Sequence, residues 1–213
     1  GMTAILINNV QDAEAVWQAG NVPVLVDEEG ACIKELKPDV VVDAIIAKKN
    51  LGTKIDMAPM TIALGPGFEA GVDVDAVVET KRGHNLGRII CEGKAAPNSG
   101  IPGDIGGYTS ERVLHAEAAG KMHIIQGIGA VVEQGDVIAE IITENEKIPV
   151  KATITGIIRG MIREGYEVTK GFKIADIDPR KSELANCFTI SDKARCIAGG
   201  VLEAILSYAG DRL

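Results

Sequence analysis

The sequence predicts a two-part α/β protein with a mostly parallel sheet near its N-terminus, a β-rich second half and a C-terminal helix. Three observations predict it. Short β-branched runs alternate with helix and turn signals over the first ninety residues. A long segment of the second half repeats itself at a fixed offset. An apolar stripe at helical spacing runs through the last twenty-five residues. Hydrophobic residues make up 46% of the 213-residue chain but aromatics only 3%, so any core must be aliphatic.

Taken in order, "TAILI" reads as a strand, and Asn9 or Asp12 can start the helix "DAEAVWQAG", which Gly20 stops. "VPVLVD" is the next strand and "IKELKPD" a short helical segment. "VVVDAII", "MTIALG" and "VDAVVET" follow as extended runs, nearly continuous in β-branched residues. Such runs suit strands covered on both faces, so residues 1–90 are expected to form a mostly parallel, Rossmann-like α/β domain. Residues 91–110, "CEGKAAPNSGIPGDIGGYTS", are rich in Gly and Pro without periodicity, and read as a crossing loop.

From residue 111 the pattern changes. Residues 113–141 align with 149–177 at an offset of 36 without a gap. Eight identities fall in register: Ala116/Ala152, Gly120/Gly156, Gly129/Gly165, Val132/Val168, Gly135/Gly171, Ile138/Ile174, Ala139/Ala175 and Ile141/Ile177. Neither copy can bury its apolar face alone, so two interlocking halves are expected. Each half resembles the barrel-sandwich hybrid of lipoyl and biotinyl carrier domains, which predicts that architecture for residues 111–180. Counting from the Ala152 and Gly156 landmarks, the carrier lysine would fall at Asn145; Lys147 is two positions away and the biotinyl "MKM" is missing. No lipoyl or biotin attachment is expected. Within residues 181–213, Ser191 is placed as the cap of a helix whose Ala194, Ile197, Ala198, Val201, Leu202, Ile205 and Leu206 form one stripe. That helix is expected to pack on the first domain.

The polar residues that could carry chemistry concentrate between 43 and 104. Asp43 interrupts an apolar strand and needs a partner there. The parallel reading delivers Lys48 and Asn50 to a carboxyl end, where open α/β sheets bind ligands. "LGPGFEAG" follows, with Gly65, Gly67 and Phe68, but Gly71 lies one place beyond a G-x-G-x-x-G fingerprint and no long helix follows. A dinucleotide held in the usual manner is disfavoured, whereas a small anion nest fits, with Pro66 giving up one donor. Glu79 then precedes Lys81, Arg82, His84, Asn85 and Arg88, residue types that bind anions. His115 and His123 read as partly exposed strand residues. A polar turn closed by its own salt bridges remains the plain alternative for the cluster.

The net charge of −8 argues against nucleic acid as a partner. Nothing reaches the apolar length of a membrane span, and no signal-like start is visible, so a cytoplasmic protein with four unpaired thiols is expected. No catalytic motif or metal-ligand spacing is present.

The blocks "PDVVVDAIIAKKNLGTKIDMAPMTIALGPGFEAGVDVDAVVETKRGHNLGR", "CEGKAAPNSGIPGDIGG" and "ERVLHAEAAG" closely resemble the YqeB family of selenium-dependent molybdenum hydroxylase system proteins, and the resemblance covers essentially the whole chain. It implies an accessory role for such hydroxylases or in maturing their molybdenum cofactor, with a hydroxylase or maturation factor as partner and no known reaction. The recurring blocks match Asp43, Lys48, Asn50, Gly65, Gly67, Phe68, Glu79, Arg82, Gly83, His84, Asn85 and Gly87. Family members start with a further glycine-rich G-G/A-G-D unit, so either this chain lacks it or Gly1 is a foreign residue before a true Met2 start. The leading expectation is an anionic pterin or nucleotide bound at the cluster. The alternatives are a non-catalytic scaffold whose barrel docks on a partner, and a small enzyme using His84 with Glu79 or Asp43. Self-association stays open.

Overall fold

The structure, a computed structural model, describes residues 2–100 and 102–210, so Gly1 lies outside the described residues. It divides into two compact units, Gly1–Asn98 with Asp192–Leu213, and Ser99–Ser191.

In the first unit, β1 (Ala4–Ile7) leads through a 3-10 turn at Val10–Asp12 into α1 (Ala13–Gln18) and β2 (Val22–Leu25). Neither Asn9 nor Asp12 caps with its side chain. Gly20, at φ 73°, ends the helix by donating to the Trp17 carbonyl. β1 and β2 pair in parallel, and stand as a sheet of their own. α2 (Cys32–Leu36) follows, and then β3 (Val40–Asp43), β4 (Met60–Leu64), β5 (Glu69–Ala70), β6 (Ala76–Val78), β7 (Ile89–Ile90) and β8 (Gly93–Lys94). β3, β4 and β6 are parallel, β7 adds to β6 antiparallel, and β5 pairs with β8.

The Rossmann-like expectation is therefore corrected. The sheets are several and open, and β1–β2 does not extend the β3–β4–β6–β7 sheet. The connection from β3 to β4 carries only a 3-10 turn (Ile55–Met57), and that from β4 to β6 only β5. Both segments lack an apolar helical period, so no crossover helix forms to lay a helical layer over the sheet. Cover comes from α3 (Asp192–Gly210) instead, whose Ile197, Val201, Ala204 and Ile205 pack on Met60, Ile62, Ala76 and Val78. The helix comes close because Gly200 lies on Gly87: a Cβ there would sit 2.1 Å from the Gly87 oxygen. On the other face, Phe68 joins Ala63, Ala70, Val74, Val77 and Ala95. The 91–110 segment is thus partly drawn into the fold, through β8 and Ala95.

The second unit opens with a 3-10 turn at Ser110–Arg112. Its strands are β9 (Val113–His115), β10 (Gly120–Ile124), β11 (Val131–Val132), β12 (Val137–Ile142), β13 (Lys147–Lys151), β14 (Gly156–Met161), β15 (Glu167–Val168) and β16 (Lys173–Asp178). The 36-residue offset maps β10 onto β14, β11 onto β15 and β12 onto β16. β9 falls within the stretch equivalent to β13. The two sheets run β13-β12-β10-β15 and β11-β14-β16-β9. Each keeps two long strands of one half and borrows two strands from the other. Even the irregularities agree, since the shift between Val137 and Ala139 against β13 recurs between Lys173 and Ala175 against β9.

The shared core explains the conserved spacing of the repeat. Leu114/Val150, Ala116/Ala152, Met122/Ile158, Val132/Val168, Ile138/Ile174, Ala139/Ala175 and Ile141/Ile177 are all buried in one cluster. Each fully buried Val, Leu, Ile or Met side chain among them contributes about 1.5–3 kcal/mol, the alanines less. The barrel-sandwich hybrid, with its lipoyl/biotinyl likeness, is nevertheless corrected. The two sheets face a common core but stay open and separate among the described residues. The borrowed strands β11 and β15 are two residues long, too short to bond across to the other sheet and close a barrel. At the carrier position, residues 143–146 form a tight turn, with Thr143 and Glu146 bonded to each other, and Lys147 pairs with Glu140.

One asymmetry breaks the repeat. β14 shifts register between Ile158 and Gly160, where β10 does not. The extra residue, Arg159, reaches Asp178 at 2.8 Å, and Arg180 grips the same carboxylate at 2.9 and 2.8 Å. Asp178 is only 1% exposed. The Arg180 guanidinium is the main reason its carboxyl is held far below the usual carboxylate range.

Candidate functional site

The parallel register of β3, β4 and β6 places the loops that follow them along one carboxyl edge. These loops carry the residues from Asp43 to Asn85 that the sequence singles out, and the structure treats them unequally.

Asp43 ends β3 almost fully buried, and finds its partners in its own loop. It accepts from the Ile45 amide at 3.1 Å and from the Thr53 hydroxyl at 2.5 Å. Asn50 closes the same loop from the other side. Its Oδ1 accepts from the Gly52 and Thr53 amides, and its Nδ2 donates to the Thr53 carbonyl, each at 2.8 Å. Between these two clamps the chain takes a left-handed conformation at Ile46 (φ 59°) and Lys48 (φ 63°). For a β-branched residue this is a genuine outlier, and each such position costs about 1–3 kcal/mol unless its surroundings impose it. The clamped loop presents Ile45, Ile46, Lys48, Lys49 and Leu51 to solvent.

The glycine loop supports this arrangement from the neighbouring strand. A Cβ on Gly67 would lie 2.6 Å from the Lys49 Cα and nitrogen, and 2.8 Å from the Lys48 carbonyl carbon. Only glycine permits that backbone-on-backbone contact, at φ 114°. Gly65, at φ 77°, is pressed against the Thr80 side chain and donates to the Val78 carbonyl at 2.8 Å. Gly67→Ala should therefore displace the lysine loop and cost about 2 kcal/mol. An unchanged urea midpoint together with an unchanged Lys48–Lys49 amide spectrum would disprove the contact.

The remaining predicted residues are partly spent on the fold. Phe68 is a core residue, 4% exposed. Glu79 is buried and accepts from the Lys81 amide at 2.8 Å and the Ala96 amide at 2.7 Å, tying its turn to the following segment. Arg82 is held in a two-pronged pair with Asp192 at the start of α3, at 2.8 and 3.1 Å. That pair raises the Arg82 pKa and draws the Asp192 carboxyl well below its ordinary value. Asn85 accepts from Arg88 at 3.3 Å, and His84 is exposed. Among the described residues no hydrogen bond joins His84 to Glu79 or Asp43, the contact an acid–base pair would need.

Four cationic or titratable groups on this edge stay uncommitted. Among the described residues no ion pair takes Lys48, Lys49, Lys81 or His84. The edge thus offers exposed charge on a rigid loop. Two recesses lie elsewhere, one of about 310 Å³ beside Lys121 and His123, and one of about 260 Å³ between α1 and α2. Sequence reasoning missed Thr53 and Thr80 as the side chains that shape the loops, and Asp192 as the partner of Arg82. The last lies 110 residues away, with no local signal to mark it.

No family model matches the chain. Among solved structures, an aspartoacylase family protein from Mesorhizobium loti is 19% identical over 32% of this chain and 23% of its own, with a TM-score of 0.30. A succinylglutamate desuccinylase/aspartoacylase from Rhodobacter sphaeroides is 15% identical over 56% of this chain and 45% of its own, also at 0.30. Likenesses this distant assign neither fold nor activity. Uncharacterized protein YqeB of Escherichia coli (strain K12) is 52% identical over 206 residues, which are 97% of this chain and 37% of that protein. The chain spans little more than a third of the curated relative's length and is a close homologue of that part of E. coli YqeB.

Proposed function

We propose that the protein is a cytoplasmic accessory factor of a selenium-dependent molybdenum hydroxylase system, which binds an anionic pterin or nucleotide at the carboxyl edge of its parallel sheet. The hydroxylase assignment rests on the sequence resemblance alone. The binding reading rests on one observation: Lys48 and Lys49 form no ion pair among the described residues, and sit on a clamped, left-handed loop that Gly67 braces from behind. Strained but over-determined backbone at a sheet's carboxyl edge is where α/β proteins hold ligands. Lys81 and His84 add charge from the next loop. Arg82 serves the fold through Asp192, so the ligand's charge falls to the lysines.

Calorimetric titration with pyrophosphate, adenine nucleotides and a phosphorylated pterin tests the reading. Saturable binding, weakened about tenfold or more in Lys48→Ala/Lys49→Ala, is expected. Absence of saturable binding to all three, or binding indifferent to the double substitution, would overturn it.

A second reading has its own support. Asp43, Asn50, Phe68, Glu79 and Arg82 are engaged internally, and Ile45, Ile46 and Leu51 stand exposed on the same loop, at 66%, 45% and 57%. On this reading the edge docks a hydroxylase or maturation factor, without any barrel. Capture of such a partner that Ile45→Ser/Ile46→Ser abolishes, in a protein that binds none of the three anions, would favour it.

A further inference from the structure

We propose that the recess between α1 and α2 is a docking site for an arginine- or lysine-bearing apolar segment of a partner protein. It is lined by Val10, Gln11, Glu14, Trp17, Glu35 and Leu36, and holds about 260 Å³. Small-molecule sites run to about 300–1,000 Å³, so this one suits a single anchoring side chain better than a cofactor.

Its chemistry is that of a cation receptor. Trp17 is 48% exposed and Leu36 42%, leaving an indole and an aliphatic wall open to solvent. Two carboxylates flank them. Gln18 donates to Glu14 Oε1 at 2.9 Å and Gln11 to Glu35 Oε2 at 3.0 Å. Each amide orients its carboxylate while the second oxygen stays uncommitted among the described residues. Lys34 and Lys37 belong to α2 and its end, but among the described residues neither forms an ion pair with Glu14 or Glu35. An indole face beside two oriented carboxylates attracts a guanidinium or ammonium through both its quadrupole and its charge.

The wider surroundings favour the same occupant. Residues 1–33 contain Asp12, Glu14, Asp27, Glu28 and Glu29, and no lysine or arginine at all. The β1–β2 pair, which flanks α1 in the chain, exposes Leu6, Val22 and Val24, and Val26 just past β2 is exposed as well. Parallel strands ordinarily have both faces covered. A partner that is basic and apolar complements both features, and a nucleic acid or an acidic protein complements neither. This inference is independent of the anion reading, since it uses a different edge and the opposite charge.

Trp17 is the only tryptophan, so its emission reports on the recess directly. The whole chain is titrated with a hexapeptide amide of alternating leucine and arginine, with its glutamate-for-arginine counterpart, and with arginine amide. The arginine peptide is expected to change the emission saturably, to lose affinity as salt rises, and to bind about tenfold more weakly to Glu14→Gln/Glu35→Gln. Trp17→Phe, followed by calorimetry, should weaken it as well. A glutamate peptide that binds equally, or a double variant that is folded by circular dichroism and binds like the parent, would overturn the proposal. Arginine amide binding as tightly as the peptide would replace the partner segment by a small cation. Should the double variant fail to fold, the parent's salt dependence and its choice between the two peptides decide alone.

Discussion

Gly156→Ala is expected to lower the stability of the second unit by about 3 kcal/mol or more. The added Cβ would lie 2.3 Å from the Asp178 carbonyl oxygen, and 2.9 Å from the Ile177 side chain. Both obstacles belong to β16, the strand that carries the centre of its sheet, so neither can move without breaking a ladder. The equivalent Gly120 meets the Ile142 oxygen at 2.5 Å in the same way, and Gly120→Ala should cost a similar amount. Gly127→Ala, where nothing lies within 4 Å, should stay within about 0.5 kcal/mol. Urea unfolding of the three variants checks the comparison. Equal midpoints for Gly156→Ala and Gly127→Ala would refute the close approach.

Asp178→Asn is expected to cost about 2–3 kcal/mol. Removing one partner from a buried pair is usually worth more, but Arg159 and Arg180 are 28% and 44% exposed and regain water. The pH dependence follows from the depressed carboxyl pKa. Stability supplied by Asp178 is fully present above the ordinary carboxylate value of about 3.9, and is lost as pH falls through the lower folded value. The variant should therefore lose stability at neutral pH and converge on the parent in acid. A constant difference between them down to the lowest pH at which both fold would disprove the assignment.

The elements of the first unit were readable where local signals are strong. "VVVD", "MTIAL" and "AVV" are strands because β-branched runs fit a covered pleat, and Gly20 ends a helix because it alone adopts the left-handed turn cheaply. The Rossmann-like layer was misread because β-branched runs announce covered strands without saying what covers them. Here α3, more than a hundred residues downstream, does so. The same limit holds for the partners of the site's carboxylates. Asp43 had to have a partner, as a carboxylate in an apolar strand must, but that Thr53 would supply it, and that Glu79 would be buried against the Ala96 amide, is invisible to spacing.

By itself the sequence determined that the second half is two copies of one pattern, that their apolar positions share a core, and that both Gly120 and Gly156 recur. Each of these follows from identities at constant register. Only the tertiary structure decided which strands the copies exchange, that the resulting sheets stay open, and that Arg82 pairs with Asp192 at the start of α3. The physical reason is the same in each case. Burial and turn geometry are local properties written residue by residue, whereas hydrogen-bond and ion-pair partners are chosen by proximity across long loops, where closure costs rise too slowly with length to favour any one partner.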